Sequence, residues 1–495
     1  MTYTSSRNIN DNVSAGEAII NGHSKDGGLY TPTSFDSSFF DIDTFKNLSY
    51  KEIAYKVFKY FFDDFDENDL KKCIDDAYKK FYTKEIVPIY KLHDDYVLEL
   101  YHGPTSAFKD VALTILPHLL NLSYKKQNIN KKIYILCATS GDTGKAALEG
   151  FKDVPNTFIT VFYPHNAVSK IQELQMTTTT GNNTNVVAVK GNFDDCQKIV
   201  KDLMNKREEL LDNKPVLFSS ANSINLGRLI PQIVYYIYTY SHLLDKQQIN
   251  KNEKINFIVP SGNFGDILAG YIAKALGTPI NKLICASNKN NVLTDFINTG
   301  IYNKNRNFYN TKSPSMDILV SSNLERLLFI KSNYNSELIK KYFDELTNKG
   351  EYQVNNEILE GIKKDFNAYF AEEDEVVNAI KKIYNEHKYL IDPHTACAYV
   401  ALNKYKKETN DNTKNVILST ASPFKFARTV EETVRNTTFE EIYDDSSFFE
   451  DLEMLGETKT PPNLQGIYQK RIMHYDIIEK TDAEMYVRKI IDNLK

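Results

Sequence analysis

The chain contains no Cys-x-x-Cys, and its nine histidines form no His-x-His or His-x-x-x-His pair. Its cysteines, Cys73, Cys137, Cys196, Cys285 and Cys397, stand far apart. That spacing gives no support to a zinc site or a disulfide framework, and it fits free thiols in a reducing compartment. No metal site is expected. No stretch reaches the ~18 apolar residues that a membrane span needs. The opening MTYTSSRNINDNVSAGEAII carries acids and lacks an apolar run, unlike a secretory signal or a transit peptide. A cytoplasmic location is expected, with no membrane partner. Charge of one sign is also scarce: the net charge is −5 with acids and bases mixed along the chain. Such a balance offers nothing for nucleic acid to bind.

What is present is apolar enough for a real core, at 42% hydrophobic and 25% charged residues. At 495 residues the chain predicts two or three domains. No internal repeat is found. Lys- and Asn-rich patches at Lys125–Lys132, Gln247–Lys254, Asn288–Asn291 and Lys407–Lys414 separate apolar runs and read as solvated loops. The first ~95 residues read as mainly helical, with a capping box at Ser14-Ala-Gly-Glu17 and helical spacing over Lys51–Phe65. Beyond them the rhythm changes. Short runs rich in Val, Ile and Tyr appear at Tyr96–Tyr101, Ile133–Ala138, Phe158–Tyr163, Val186–Val189, Val216–Phe218, Ile255–Val259, Leu283–Ala286 and Val416–Leu418. Helical stretches such as Asp194–Leu211 and Ser223–Leu244 lie between them. This alternation predicts an α/β fold with largely parallel sheets. Long polar inserts after Lys304 blur it.

Three of these strands run into small polar turns: Thr139–Gly144, Ser261–Asp266 and Ser419–Pro423. Ligands bind at the carboxyl ends of strands in open α/β sheets. In the segment HGPTSAFKDVALTILPHLLNLSY, a helix starting after Pro104 and Thr105 is apolar on nearly every face, through Phe108, Val111, Leu113, Ile115, Leu116, Leu119 and Leu120. Up to Tyr124, Lys109 is its one Lys or Arg. A lysine so sheltered loses part of its preference for the ammonium form and becomes a nucleophilic amine, which imine chemistry requires. Pairing with Asp110, or snorkelling to the surface, is the plainer alternative. The turn SGNFGD has glycines at 262 and 265, where backbone N–H groups can close on a phosphate at a helix N-terminus; an ordinary β–α turn reads the same way. In TSGDTGKAA, two residues separate the glycines and Ala146 follows Lys145, so the loop is not a nucleotide-binding Walker A. Its small polar character suits a carboxylate.

HGPTSAFKD, ATSGDTGKAA, SSANSINLGR, VPSGNFGD and STASPFKF, in this order, closely resemble the threonine synthase family of fold type II pyridoxal-phosphate enzymes. The resemblance runs from GHSKDGGLYTP to the Pro-x-Lys-Phe segment near residue 425. It implies two α/β domains with mostly parallel sheets around a central cleft, plus a mainly helical N-terminal region. The expected division is residues 1–95, then 96–250 (possibly discontinuous) carrying the lysine and a carboxylate loop, then 251–495 carrying the phosphate loop.

By position, the resemblance implies that Lys109 is the Schiff-base lysine. Gly262, Asn263, Phe264 and Gly265, with Ser261, hold the cofactor phosphate, and Thr420 faces the pyridine nitrogen. Ser140, Gly141, Asp142 and Thr143 wrap the substrate carboxylate. The implied reaction is that of a lyase: O-phosphohomoserine plus water gives threonine plus phosphate. A second anion site is then needed, for which Ser223, Asn225 and Arg228 are candidates; for Arg228 a structural ion pair is the alternative. The chain departs from the family pattern Thr-Ala-His-Pro-Ala-Lys-Phe at Ser422 and Phe424. Two other readings stay open: a phospho-lyase releasing a 2-oxo acid and ammonia, and a catalytically inactive PLP-binding regulatory protein. A monomer or a homodimer is expected.

Overall fold

The computed structural model describes residues 1–139, 141–439 and 447–494. Two sheets dominate. The larger has six strands in the order Phe366–Phe370, Ile280–Ser287, Ile255–Pro260, Asn415–Ser419, Asp95–Glu99 and Ile89–Leu92. All its pairings are parallel except the last, a hairpin. The smaller has five parallel strands in the order Asp476–Glu479, Thr184–Lys190, Thr157–Pro164, Lys132–Ala138 and Val216–Ser219. The inner strands are continuous apolar runs because helices cover both faces of a parallel sheet. Ile255–Pro260 is buried at every position.

The helix Leu226–Asp245 is buried along most of its length. A helix apolar all round must be interior. It packs against Tyr50–Phe61, Asp110–Leu113 and Gly265–Ala275, so it joins the N-terminal region to both functional loops.

Sheet membership departs from the expected division of the chain. The strand Asp95–Glu99 pairs with Asn415–Ser419 in the larger sheet, and the smaller sheet is completed from far away by Asp476–Glu479. The N-terminal region is helical over Tyr50–Phe61 and Glu67–Tyr78, and Ser14 and Glu17 do form the capping box. It also holds a three-stranded sheet of Tyr3–Ser5, Asn8–Val13 and Tyr30–Pro32. The region after Lys304 contains the helices Leu324–Lys331, Ser336–Asn348, Asn356–Asp365 and Glu373–His387. The Asn288–Asn291 patch is not a solvated loop throughout: Asn288 and Asn290 are buried, and their amides share the carboxylate of Asp317.

Candidate active site

The segment before Lys109 is not helical. The amide and hydroxyl of Thr105 donate to the two carboxylate oxygens of Asp110, at 2.8 and 2.6 Å. Ser106 takes a left-handed φ of 58°. Helix begins only at Asp110, and Asp110–Leu113 is followed by a separate helix, Leu116–Lys126. Asp110 is thus occupied with Thr105, and it forms no ion pair with Lys109. Burial raises its carboxyl to about 6.

The same segment is stitched to the end of the strand Asn415–Ser419. Phe108 N–H donates to Thr420 O at 2.8 Å, Ser422 N–H donates to Ser106 O at 3.1 Å, and Ala107 bridges Ala421. Two loops more than 300 residues apart in sequence therefore place Lys109 and Thr420 together. Lys109 is partly exposed, and its ammonium has no hydrogen-bond or ion-pair partner among the described residues. It stands at the N-cap of a helix, where the dipole disfavours a cation. Burial lowers the amine to about 8; Lys425 and Arg228 push the same way, and Asp142 and Asp110 pull back.

The turn after Ile255–Pro260 forms an anion cup. Phe264 adopts the left-handed conformation, φ 62° and ψ 2°, and the helix Gly265–Ala275 starts immediately after it. The N–H groups of Gly262, Asn263, Phe264 and Gly265 find no acceptor among the described residues, and Ser261 Oγ is buried without a partner. Close packing holds the turn from behind. A Cβ at Gly262 comes within 3.2 Å of Ser315 O, while Asn263 O accepts from Asn323 N–H at 3.0 Å. A run of free N–H donors at a helix N-terminus suits a phosphate. With the free amine of Lys109 and the Thr420 hydroxyl, the donor set fits pyridoxal phosphate.

The second Gly-rich turn follows Lys132–Ala138. Thr139 Oγ1 accepts from the N–H groups of Gly141 and Gly144, both at 2.9 Å. Ser140 lies outside the described residues. Asp142 opens the helix Asp142–Phe151, and its carboxylate is paired with Lys425 at 2.7 Å, neither side chain more than 4% exposed. Burial pushes this carboxyl up, but Lys425 and Lys109 pull it well below the usual carboxylate range. A buried carboxylate so committed repels a substrate carboxylate; the backbone N–H groups of Asp142 and Thr143 at the helix start are the suitable donors. Gln172 and Ser315 also reach Asp142, and Ser315 N–H donates to His394, whose ring is held by Asp392 at 2.6 Å.

Arg228, in the first turn of Leu226–Asp245, is buried. Its Nη1 donates to Ala221 O at 2.6 Å, its Nε has no partner, and among the described residues no carboxylate pairs with it. The structural ion pair is therefore not the explanation for this residue. Burial lowers its guanidinium to about 10. Asn225 differs from expectation. Its side chain caps Gly227 N–H and reaches Ile19 O, both at 2.8 Å, so it frames the loop instead of facing a ligand. Ser223 contributes its carbonyl to Asn323 at 3.3 Å and remains half-buried.

Sequence reasoning missed Lys425, Asn323 and Arg326. Lys425 carried a readable signal, since it is a lysine in the apolar stretch ASPFKFA, like Lys109 in its own segment. The departures from the family pattern leave it in place. Ser422 Oγ accepts from Phe424 N–H at 3.3 Å, and Phe424 packs on Phe449 in the core. Folding also juxtaposes His93, Glu386 and His387, with ligand atoms within 4.8 Å of one another, a set of possible metal ligands that spacing could not reveal. No helix of the described residues is long and apolar enough to cross a membrane.

Comparison with known proteins places these features in context. Residues 2–78 match the family described as threonine synthase N terminus, residues 96–421 the pyridoxal-phosphate dependent enzymes, and residues 395–491 the threonine synthase C-terminal family. The threonine synthase of Schizosaccharomyces pombe is 38% identical over 87% of this chain and 88% of its own length. The crystal structure of threonine synthase from yeast superposes with a TM-score of 0.89 at 34% identity, covering 100% of this chain and 98% of that one. The PLP-bound threonine synthase from Brucella melitensis gives 0.85 at 32% identity, covering 99% of each.

Proposed function

The chain belongs to the threonine synthase family, and on that premise we propose that it converts O-phosphohomoserine and water to threonine and phosphate at the carboxyl ends of the paired strands Ile255–Pro260 and Asn415–Ser419, which lead into the Ser261–Gly265 cup and into Thr420, the latter bonded to the loop of Lys109. It is a PLP-dependent lyase of fold type II. When bound, pyridoxal phosphate supplies the electron sink that makes carbon-bound protons of the amino acid labile.

The chain's own residues do the rest. Lys109 Nζ, brought to about 8 by burial, exists partly as free amine near neutral pH and can take the proton from the substrate α-carbon. The same flexible side chain can return a proton further along the substrate. The free N–H groups of Gly262 to Gly265, with Ser261 Oγ, anchor the cofactor phosphate. The Thr420 hydroxyl would serve as the partner of the ring nitrogen; a neutral partner there would leave that nitrogen less protonated than a carboxylate does. The backbone N–H groups of Asp142 and Thr143 at the helix start take the substrate carboxylate. Arg228, with Ser223, takes the substrate phosphate, to which a planar guanidinium is matched.

The observation that carries this reading is the partnerless Lys109 amine on a loop bonded to Thr420. Of the three readings opened by the sequence, the comparisons favour the synthase. Incubation with O-phosphohomoserine tests it: threonine and inorganic phosphate are expected in equal amounts. Release of ammonia and a 2-oxo acid in their place supports the phospho-lyase, and no turnover supports a regulatory protein.

A further inference from the structure

Asn323 touches both anion-binding loops, and Arg326 touches Asn323 and one of those loops. The backbone N–H of Asn323 donates to Asn263 O at 3.0 Å, within the phosphate cup. Its side-chain amide donates to Ser223 O at 3.3 Å, in the loop leading to Arg228. The same amide nitrogen closes on Gly265, where a Cβ comes within 3.3 Å of it. One residue therefore touches the cup from two sides and the neighbouring loop from a third.

What fixes this amide is a buried cation. Arg326 is fully buried, and its Nη1 donates to Asn323 Oδ1 at 2.6 Å. Its Nη2 donates to Ile224 O at 2.5 Å and its Nε to Tyr30 O at 2.9 Å. No carboxylate among the described residues bonds to it; the adjacent Glu325 is occupied by Arg7 and Ser6. Burying a guanidinium against neutral oxygens alone is costly, and an apolar side chain of similar size would fill the space with less penalty. The arrangement is suited to geometry. A rigid planar fork fixes three segments at once: the N-terminal strand Tyr30–Pro32, the loop before Leu226–Asp245, and Asn323 itself. A second tie runs the same way, from Asn225 to Ile19 O in the N-terminal helix.

We propose that Asn323 and Arg326 are positioning residues that hold the phosphate cup and the Ala221–Arg228 loop as one unit, anchored on the N-terminal region, so that the two phosphates of the loaded site sit at a set separation. This rests on the two-anion reading given above. Asn323 fixes the amide orientation on which both loops depend, and Arg326 fixes Asn323. The N-terminal region becomes part of the site's frame through the carbonyls of Tyr30 and Ile19.

The test uses Arg326→Lys and Asn323→Ala in the full chain. Lysine keeps the charge and cannot reach three acceptors at once, and Asn323→Ala keeps the backbone bond to the cup, so folding is retained by one route or the other. PLP binding to apoprotein is titrated by fluorescence, and inorganic phosphate is measured as a competitive inhibitor to probe the second site. Both constants are expected to weaken, each roughly tenfold, with the two changes correlated across the variants. A lower unfolding temperature with both constants unchanged would overturn the proposal, and so would a change in one constant alone. Wild-type protein that binds PLP but is not inhibited by phosphate removes the two-anion reading, and the proposal with it.

Discussion

The ammonium of Lys425 lies 2.7 Å from the carboxylate of Asp142 and also donates to Thr105 O at 3.0 Å. Lys425 follows Asn415–Ser419 of the larger sheet, while Asp142 opens the helix after Lys132–Ala138 of the smaller one. A buried charge pair thus ties the two sheets together beside the partnerless Lys109. Asp142 and Asp110 raise the amine of Lys109, while Lys425 and Arg228 lower it. Asp142 and Lys425 act on it with opposite signs.

Neutralising the two partners should therefore shift Lys109 in opposite directions. Lys425→Met leaves Asp142 unbalanced and raises the amine; Asp142→Asn lowers it below about 8. The double substitution brings it back toward the starting value. Acylation of Lys109 in apoprotein as a function of pH, followed by peptide mass spectrometry, measures the midpoint. Shifts of the same sign in both single variants would contradict the assignment. Each single variant also leaves an uncompensated buried charge, so a loss of about 3–5 kcal/mol is expected in denaturant unfolding.

Arg228→Ala should separate substrate binding from cofactor binding. Its guanidinium has an unpartnered Nε and no carboxylate among the described residues. Removing it is expected to raise KM for O-phosphohomoserine on the order of tenfold to a hundredfold, the range for a charged hydrogen-bonding group. PLP affinity should hardly move. An unchanged KM would reject the role.

Asp266 should add to the pH dependence of stability, alongside Asp110, whose carboxyl burial raises to the same range. It accepts bonds from Tyr235 and Tyr236 with one oxygen, and its other oxygen is buried without a partner. Burial raises this carboxyl from 3.8 to about 6. The folded state holds an extra proton between those values, so this contribution is complete below about 3.8 and is lost as pH rises through about 6. The loss amounts to roughly 3 kcal/mol. Asp266→Asn should lessen that slope in urea unfolding from pH 4 to 7, leaving the share of Asp110, and an unaltered slope would refute the carboxyl's part in it.

Gly262→Ala should damage the phosphate cup without touching Lys109. The added Cβ meets Ser315 O at 3.2 Å and Met316 Cα at 3.3 Å, both backbone atoms that cannot swing away. The turn must shift, and its N–H groups lose their aim. PLP affinity is expected to fall roughly tenfold, while the pH profile of Lys109 acylation in apoprotein stays as it was.

Much of this fold could be read from local pattern. The inner strands of both sheets are apolar runs bounded by small polar turns, and each of those runs became a strand. The strand Phe366–Phe370 eluded that reading because FNAYF is short and interrupted by Asn367. Asp476–Glu479 eluded it because DIIE lies at a sheet edge and is mostly exposed. Lys109 was legible as a charge among apolar neighbours, and the same logic extends to Lys425. Asn323 and Arg326 were not, because their meaning comes from carbonyl oxygens contributed by Tyr30, Ser223, Ile224 and Asn263. Helix start signals at Pro104 failed for a related reason: Asp110 folds back onto Thr105, and Ala107 pairs with a strand end more than 300 residues away.

The central claim is that Lys109 is the residue to which the cofactor becomes attached. Borohydride reduction of the PLP-loaded protein, followed by peptide mapping, tests it most directly. The account predicts loss of the visible absorbance and one stable pyridoxyl adduct, located on Lys109 and missing from Lys109→Ala. An adduct on Lys425 or Lys145, or none on a protein that still binds PLP, would contradict it.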